Sequence, residues 1–192
     1  MIVKLHGTSG SGKTTVARGL MAMCKSEHGI STILSTRGKP EAYMFQLPDV
    51  IAPMFVLGPY EATCGGLDGI SDVDDHIRLM HSSAEHGNVL YEGLLGSEYY
   101  GRIGKESEKY GDEHVFAFLD TPVEVCIERV KARRAAAGNT KPLNEANTRG
   151  RIAKIERLKI RLIHELHRRV EVIDHTDAVN QVYKLFRNFN AG

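Results

Sequence analysis

The fold is decided by residues 2–14, whose sequence is IVKLHGTSGSGKT. Residues 7–14 of this stretch match the pattern G-x-x-x-x-G-K-[ST], in which glycines allow backbone N–H groups to surround a phosphate. The apolar run before the loop predicts a strand, and the spacing of Val16, Leu20 and Met23 predicts a helix over residues 13–27. A strand, a glycine-rich loop and a helix in this order predict binding of a nucleoside triphosphate.

Each part of this loop has a predicted task. Lys13 adds positive charge beside the β- and γ-phosphates, and the Thr14 hydroxyl is the predicted ligand for Mg²⁺. ATP is the expected nucleotide because the chain has no Asn-Lys-x-Asp motif for reading guanine. A glycine- and serine-rich turn without a ligand is the alternative interpretation. The residues predicted to bind the nucleotide are Gly7, Ser9, Gly10, Ser11, Gly12, Lys13, Thr14 and Thr15.

Length and composition predict one α/β domain. The chain has 192 residues, and five or six apolar runs alternate with helical patterns, which is typical of a parallel sheet covered by helices. No apolar run approaches the roughly 18 residues of a membrane span. Cys24, Cys64 and Cys126 are an odd number without close pairing, which favours neither disulfides nor a thiolate metal site. We therefore expect a cytoplasmic protein without a membrane partner.

Charge is unevenly distributed along the chain. The formal net charge is only +1, whereas residues 129–169 contain 13 Lys and Arg against 3 Asp and Glu. A solvated helix surface is one explanation of such a segment. In a protein that handles phosphates, the segment also predicts contacts with ATP and with a polyanion such as DNA or RNA.

Two carboxylates are candidates for the chemistry at the phosphates. Glu92 ends the apolar run 89–91, where it could hold Mg²⁺ or accept the proton of an attacking hydroxyl. Asp68 follows two glycines in a loop that also contains Tyr60 and Cys64, which suggests a loop for the acceptor substrate. A turn carboxylate that bonds its own backbone is the alternative for Asp68. Both residues remain candidates for the general base.

The segment after the apolar run 115–119 contains signals for the start of a helix, followed by positively charged residues. Asp120 and Thr121 precede Pro122, and we expect them to cap the helix that follows. Arg129 and Arg133 lie four residues apart on that helix, so they share a face from which they can stabilise a migrating phosphoryl group. Residues 135–148 lack apolar periodicity and are interpreted as a flap. The turn at 174–177 either contacts the nucleotide base or caps the last helix.

These motifs resemble those of the P-loop kinase group that includes nucleoside monophosphate kinases, uridine kinase and polynucleotide kinase. The similarity rests on the phosphate loop, on VLYEG at 89–93 and on FLDTP at 118–122. It implies a three-layer P-loop fold with a five-stranded, mostly parallel sheet in the order 2-3-1-4-5 and helices on both faces. It also implies a single domain over 1–192 with a lid around 131–151. Polynucleotide kinases place a catalytic Asp after the second strand, whereas residues 35–39 (STRGK) contain none.

A narrower resemblance concerns a phage-encoded branch of these kinases. Residues 64–68 (CGGLD), 89–95 and 99–102 (YYGR) are similar to that branch, which includes 5-hydroxymethyluracil DNA kinases. The similarity implies ATP- and Mg²⁺-dependent transfer of phosphate to a base hydroxymethyl group in phage DNA, with residues 129–169 contacting the DNA backbone. The expected location is then the host cytoplasm. The alternatives are a kinase for a nucleoside, nucleotide or metabolite, and a nucleotide switch that transfers nothing.

Overall fold

The computed structural model describes residues 1–24, 29–62, 65–70, 72–93 and 97–189, with only the backbone of 97–100. The strands are β1 (Ile2–His6), β2 (Ser31–Leu34), β3 (Pro40–Phe45), β4 (Met54–Leu57), β5 (Asn88–Glu92), β6 (His114–Asp120) and β7 (Val170–Asp174). The helices are α1 (Lys13–Ala22), α2 (Val73–Ala84), α3 (Ser97–Glu106), α4 (Val123–Ala136), α5 (Glu145–His164) and α6 (Ala178–Phe189). Short 3₁₀ helices occupy Leu67–Gly69 and Ser107–Glu113.

All the strands belong to one mixed sheet in the order β2-β3-β4-β5-β1-β6-β7. The pairs β4–β5, β5–β1, β1–β6 and β6–β7 are parallel, and these strands, numbered among themselves, have the order 2-3-1-4-5. The prediction of five strands is wrong, because β2 and β3 form an antiparallel hairpin that extends the sheet beyond β4. The apolar run 30–35 predicts a strand of the parallel sheet, whereas β2 is an edge strand with all four residues exposed.

β1 lies at the centre of the sheet and is buried along its whole length. Because strand side chains alternate between faces, Val3 and Leu5 pack in a core with Leu20 of α1 and Phe186 of α6. The opposite face of β1 carries Lys4 and His6, which are also buried. The central strand is therefore apolar on one face and titratable on the other.

The helix boundaries differ from several sequence predictions. α1 ends at Ala22, and residues 25–28 of the predicted helix lie outside the described part. Ser71 with Asp74 three residues later resembles a capping box and predicts the start of α2 there, but Ser71 lies outside the described part. In the structure Asp72 caps α2, and its side chain accepts a hydrogen bond from the Asp74 N–H at 2.8 Å. α3 occupies a polar, glycine-containing segment that has little apolar periodicity. Among the described helices, none combines the length and hydropathy needed to cross a membrane.

The predicted cap of α4 is wrong. Pro122 occupies the N-cap position, and no side chain caps this helix end. The Thr121 hydroxyl instead donates a hydrogen bond to the Ser11 carbonyl at 2.9 Å, 110 residues away in sequence. The Asp120 carbonyl accepts a hydrogen bond from the His175 ring at 2.9 Å, so this strand end is bonded to two distant loops.

The polar face of β1 contacts His114 of β6, which is fully buried. His114 stacks on Phe116 at 4.7 Å between ring centroids, and its Nε2 lies 3.1 Å from the Tyr91 hydroxyl. Burial, with the charge of Lys4 as a smaller cause, lowers the pKa of His114 to about 3. Burial also lowers the pKa of Lys4 to about 7. Burial disfavours the charged form of both groups because a charged form loses its hydration, and it keeps His114 neutral near pH 7.

We expect acid to destabilise the fold through His114. Between its ordinary pKa of 6.5 and its folded pKa of about 3, the unfolded chain binds a proton that the folded chain does not bind. The free energy of unfolding therefore falls as pH falls, by up to about 1.4 kcal/mol per pH unit for this residue. His114→Phe keeps the ring stack and should reduce the loss of stability between pH 7 and pH 5 by about 2 kcal/mol. Urea unfolding at both pH values measures this, and an unchanged pH dependence would contradict it.

Candidate active site

A cleft of about 950 Å³ opens where the carboxyl ends of β1 and β5 meet the start of α1. This is the edge of an open parallel sheet at which ligands generally bind. The cleft brings together residues from both halves of the chain, and Gly7 is the one predicted site residue that does not line it. The predicted residues that line it are Ser9, Gly10, Ser11, Gly12, Lys13, Thr14, Thr15, Asp68, Glu92, Arg129 and Arg133.

The glycine loop is fitted tightly against the start of α4. Gly10 has a φ of +84°, and a Cβ at this position would lie 2.3 Å from the Cys126 carbonyl oxygen. Gly12 has a φ of +104° at the residue that precedes α1. Glycine is thus required at both positions, because side chains disfavour such backbone angles and Gly10 leaves no room for one. With the bond from Thr121 to Ser11, these contacts hold the loop in one conformation.

Positive charge surrounds this loop. Lys13 Nζ donates hydrogen bonds to the carbonyls of Gly7 at 2.8 Å and Thr8 at 3.2 Å, which holds its ammonium beside the loop. Arg129 donates to the Gly10 carbonyl at 3.3 Å, and Arg151 Nη1 lies 3.5 Å from the Ser9 hydroxyl. Arg133 lines the same wall of the cleft. The arrangement favours a highly charged anion at the amino end of α1.

Glu92 is buried beside these cations. Glu92 is 4% exposed, and its Oε1 atom has no hydrogen-bond partner. Burial raises the pKa of Glu92, although the charge of Lys13 and the hydroxyl of Thr14 act in the opposite direction. A buried carboxylate oxygen without a partner is costly, and a cation or donor that binds with the ligand would relieve this cost.

The loop after β4 brings Asp68 against the end of β5. A Cβ on Gly66, whose φ is +87°, would lie 2.5 Å from Glu92 Cγ. A Cβ on Gly93 would lie 3.3 Å from Asp68 Oδ1. Asp68 is exposed whereas Glu92 is buried, so the cleft contains two neighbouring carboxylates in different environments. Cys64, which the sequence places in the same loop, lies outside the described residues.

This topology changes the comparison with polynucleotide kinases. The sequence comparison found no Asp after the second strand because it took residues 30–35 to be that strand. β4 is the second strand of the parallel set, and the loop that follows it contains Asp68. The departure expected from residues 35–39 therefore rested on the wrong strand.

Tyr60 is held firmly beside Glu92. Its backbone N–H donates to the Tyr43 hydroxyl at 3.2 Å, and Arg18 donates to its carbonyl at 2.9 Å. Its buried hydroxyl meets no partner with hydrogen-bond geometry. Burial and the nearby Glu92 charge raise the pKa of Tyr60 well above 10, so the phenol remains a neutral donor.

The turn between β7 and α6 forms the far wall of the cleft. His175, Thr176, Asp177 and Asn180 line it, whereas the Asp177 side chain also accepts a hydrogen bond from Asn180 at 2.6 Å. The structure thus places the predicted 174–177 turn at the cleft. Among the described residues, no group of three or more His, Cys, Asp or Glu is arranged to hold a metal.

Sequence reasoning missed Arg18, Asn180, the contact made by Thr121 and the partner of Arg151, which it had placed only among the cations of the flap. Arg18 follows Thr14 by four residues on α1, and this helical spacing could have placed it on the cleft side. Arg151 and Thr121 reach the loop through contacts 142 and 110 residues apart in sequence, for which no local signal exists.

The fold and cleft define an α/β protein with a ligand site at the carboxyl edge of a parallel sheet, built around a glycine loop. No family model matches the chain. It is 35% identical over 150 residues to the "5-hmdU DNA kinase" of Pseudomonas phage PaMx11, covering 77% of each chain. It is 30% identical over 167 residues to that of Pseudomonas phage M6, covering 82% of each chain. A third relative, from Delftia phage PhiW-14, is 26% identical over 168 residues, 76% of this chain and 58% of the relative.

The chain therefore belongs to the family of phage 5-hmdU DNA kinases. The narrower of the two resemblances, based on CGGLD, VLYEGLL and YYGR, is confirmed. The chain is accordingly a phosphotransferase rather than a nucleotide switch.

We predict that Gly66 tolerates no side chain because its backbone packs directly against Glu92. Gly66→Ala combines a positive φ with contacts of 2.5 Å and 2.8 Å to Glu92. It should lower the free energy of unfolding by about 3 kcal/mol and abolish phosphate transfer. Gly29→Ala is the matched control, because Gly29 has a φ of +62° and a Cβ there would meet no atom of the described residues within 4 Å. It should cost only about 1 kcal/mol. Equal losses in the two variants would contradict the steric argument.

Proposed function

We propose that this protein transfers the γ-phosphate of ATP to the hydroxymethyl oxygen of 5-hydroxymethyluracil within DNA. Its relatives are named for 5-hmdU in DNA, and family membership makes it a kinase. The observation that carries the site assignment is that one cleft contains the glycine loop, two neighbouring carboxylates and the arginines of α4. This is the set of groups that phosphoryl transfer requires.

The donor would bind along the glycine loop in a P-loop fold. Backbone amides of residues 7–15 would surround the phosphates at the amino end of α1, where the helix dipole favours anions. Lys13 would exchange its carbonyl partners for phosphate oxygens. Its ammonium already lies over the loop, so little reorganisation is required.

The residues also fit a magnesium ion. Glu92 has a buried oxygen without a partner, and the Thr14 hydroxyl lies close enough to Glu92 to lower its pKa. Thr14 and Glu92 would hold Mg²⁺, since hydroxyl and carboxylate oxygens are the ligands that this hard cation prefers. When bound, the ion neutralises charge on the β- and γ-phosphates.

Asp68 is our choice for the general base. Glu92 is buried next to Thr14 and Lys13, whereas Asp68 is exposed where an acceptor can reach it. The acceptor hydroxyl would give its proton to Asp68 as its oxygen forms a bond to the γ-phosphorus. The bond from that phosphorus to the bridging oxygen would break and ADP would leave. Arg129 and Arg133 would stabilise the charge on the migrating group.

The surface of residues 129–169 supports a polymeric acceptor. Several cations of this segment are neutralised within the protein, as in the ion pairs Lys131–Glu145 at 2.6 Å and Arg149–Glu124 at 3.1 Å. Lys154 and Arg157 of α5 are exposed and have no acidic partner in the described part of the chain. A small-molecule acceptor is the alternative. It would not explain why Lys154 and Arg157 are exposed without an acidic partner.

The function is tested by offering γ-labelled ATP with three acceptors. These are duplex DNA containing 5-hydroxymethyluracil, the same duplex with thymine, and a mixture of free nucleosides that includes 5-hydroxymethyldeoxyuridine. We expect label only in the modified duplex. Label in the free nucleosides alone would establish the small-molecule alternative, and release of inorganic phosphate alone would contradict transfer.

We expect substitutions of Asp68 and Glu92 to impair different steps of the reaction. Asp68→Asn should lower kcat by about 10²- to 10⁴-fold without changing the KM for ATP, because only proton transfer is lost. Glu92→Gln should raise the Mg²⁺ concentration needed for half-maximal rate and weaken binding of Mg²⁺-ADP measured by calorimetry. The opposite assignment follows if Asp68→Asn alters metal dependence and Glu92→Gln does not.

Lys13→Ala should abolish transfer and leave the fold intact, because Lys13 is the cation nearest the phosphates. Substantial residual activity in a variant with an unchanged unfolding temperature would refute this role.

A further inference from the structure

The turn between β2 and β3 presents two cations at the same edge of the sheet as the cleft. β2 is antiparallel to β3, and β3 is antiparallel to β4, so β2 runs in the direction of β4 and the parallel set. The carboxyl end of β2 therefore points to the edge that carries the cleft. Arg37 and Lys39 follow that end and are exposed.

The turn has a defined conformation. The Ser35 N–H donates to the Lys39 carbonyl at 2.7 Å, and the Gly38 N–H donates to the Ser35 carbonyl at 2.9 Å. The Lys39 N–H also donates to the Ser35 hydroxyl at 3.1 Å. Gly38 supplies the left-handed residue with a φ of +71°. Arg37 and Lys39 are thus displayed from a closed turn on either side of Gly38.

Two arginines of the neighbouring helices α2 and α3 are paired with acids. Arg78 contacts Asp75 at 3.3 Å and Glu41 at 3.6 Å, and Arg102 pairs with Asp74. The side chains of Arg37 and Lys39, in contrast, have no acidic partner among the residues that the structure describes. This side of the cleft is otherwise rich in carboxylates, which would repel a polyanion. The turn therefore offers two adjacent cations that no acid of the described residues neutralises.

The position of the turn matches the dimensions of DNA. β2 lies three strand positions from β5, whose last residue is Glu92, so a spacing of about 4.8 Å places the two roughly 14 Å apart. The hydroxymethyl group projects from the base into the major groove, which is about 12 Å wide between its flanking backbones. Residues 129–169 begin beyond β6, on the opposite side of β5. Cations therefore flank the two carboxylates on both sides along the sheet edge.

We propose that the β2–β3 turn is a phosphate-binding arm that holds the DNA backbone on the acceptor side of the cleft, through Arg37 and Lys39. This inference rests on the proposed DNA acceptor. The duplex then lies across the carboxyl edge of the sheet, held by the turn on one side and by residues 129–169 on the other. The β2–β3 hairpin widens the edge of the sheet beyond the size that a small-molecule acceptor would require.

The test compares the double variant R37A/K39A with the wild type on duplex DNA containing 5-hydroxymethyluracil. Loss of two phosphate contacts should reduce the slope of log Kd against log salt by about 2 and weaken binding about 60-fold at 0.1 M salt. The effect should vanish towards 1 M salt, and modified and unmodified duplexes should be affected alike, because phosphates carry no sequence information. Unfolding temperature and calorimetric binding of Mg²⁺-ATP should be unchanged.

K184A/R187A is the matched control, because it removes two exposed cations from α6 without touching the turn. It should bind DNA with the wild-type salt slope. If R37A/K39A and K184A/R187A have the same slope as an active wild type, the turn is not a phosphate contact. If the wild type itself transfers no phosphate to the modified duplex, the proposed acceptor fails, and this outcome is separate from failure of the arm.

Discussion

The site depends on the parallel pairing of β1 with β5 on one side and β6 on the other. This pairing sets Leu5 opposite Glu92 and His6 opposite Phe118, so both neighbouring strands end beside the glycine loop. Glu92 thereby reaches Thr14 and Lys13, and Thr121 reaches the Ser11 carbonyl. A shift of register by one residue would reverse the faces of β1 and place Lys4 and His6 in the apolar core that Val3 and Leu5 now fill. The apolar packing of Val3 and Leu5 thus fixes the positions of the polar groups to which we assign the chemistry.

Much of the site could be predicted because its signals are local. The glycine loop is a contiguous motif, and an acid directly after an apolar run marks a strand end near it. The hairpin could not be predicted in this way, because residues 36–49 alternate too little to show a strand and Pro40 suggests a break. Its omission gives the wrong strand count and hides the relation of Asp68 to the second parallel strand. The prediction for Thr121 is wrong for a different reason, since a hydroxyl before Pro resembles a helix cap and only tertiary structure reveals its distant partner.

The two carboxylates show how one sheet edge produces different chemical environments. Glu92 ends a strand that is buried on both faces, so its carboxyl group is desolvated. Asp68 belongs to a loop that is held by glycine contacts yet open to solvent. The first environment favours binding of a cation, and the second favours access by a large substrate. In the proposed mechanism, the same division separates the donor side of the cleft from the acceptor side.

The outermost strand has an open row of backbone groups, which in many proteins invites pairing with another chain. β2 also exposes the apolar side chains of Ile33 and Leu34. Its ladder with β3 shifts between these two residues, and such an irregularity bends and twists the strand. A bent and twisted edge pairs less well with a straight strand from a neighbouring molecule. The irregularity therefore protects the molecule from stacking edge to edge into filaments when it accumulates at high concentration.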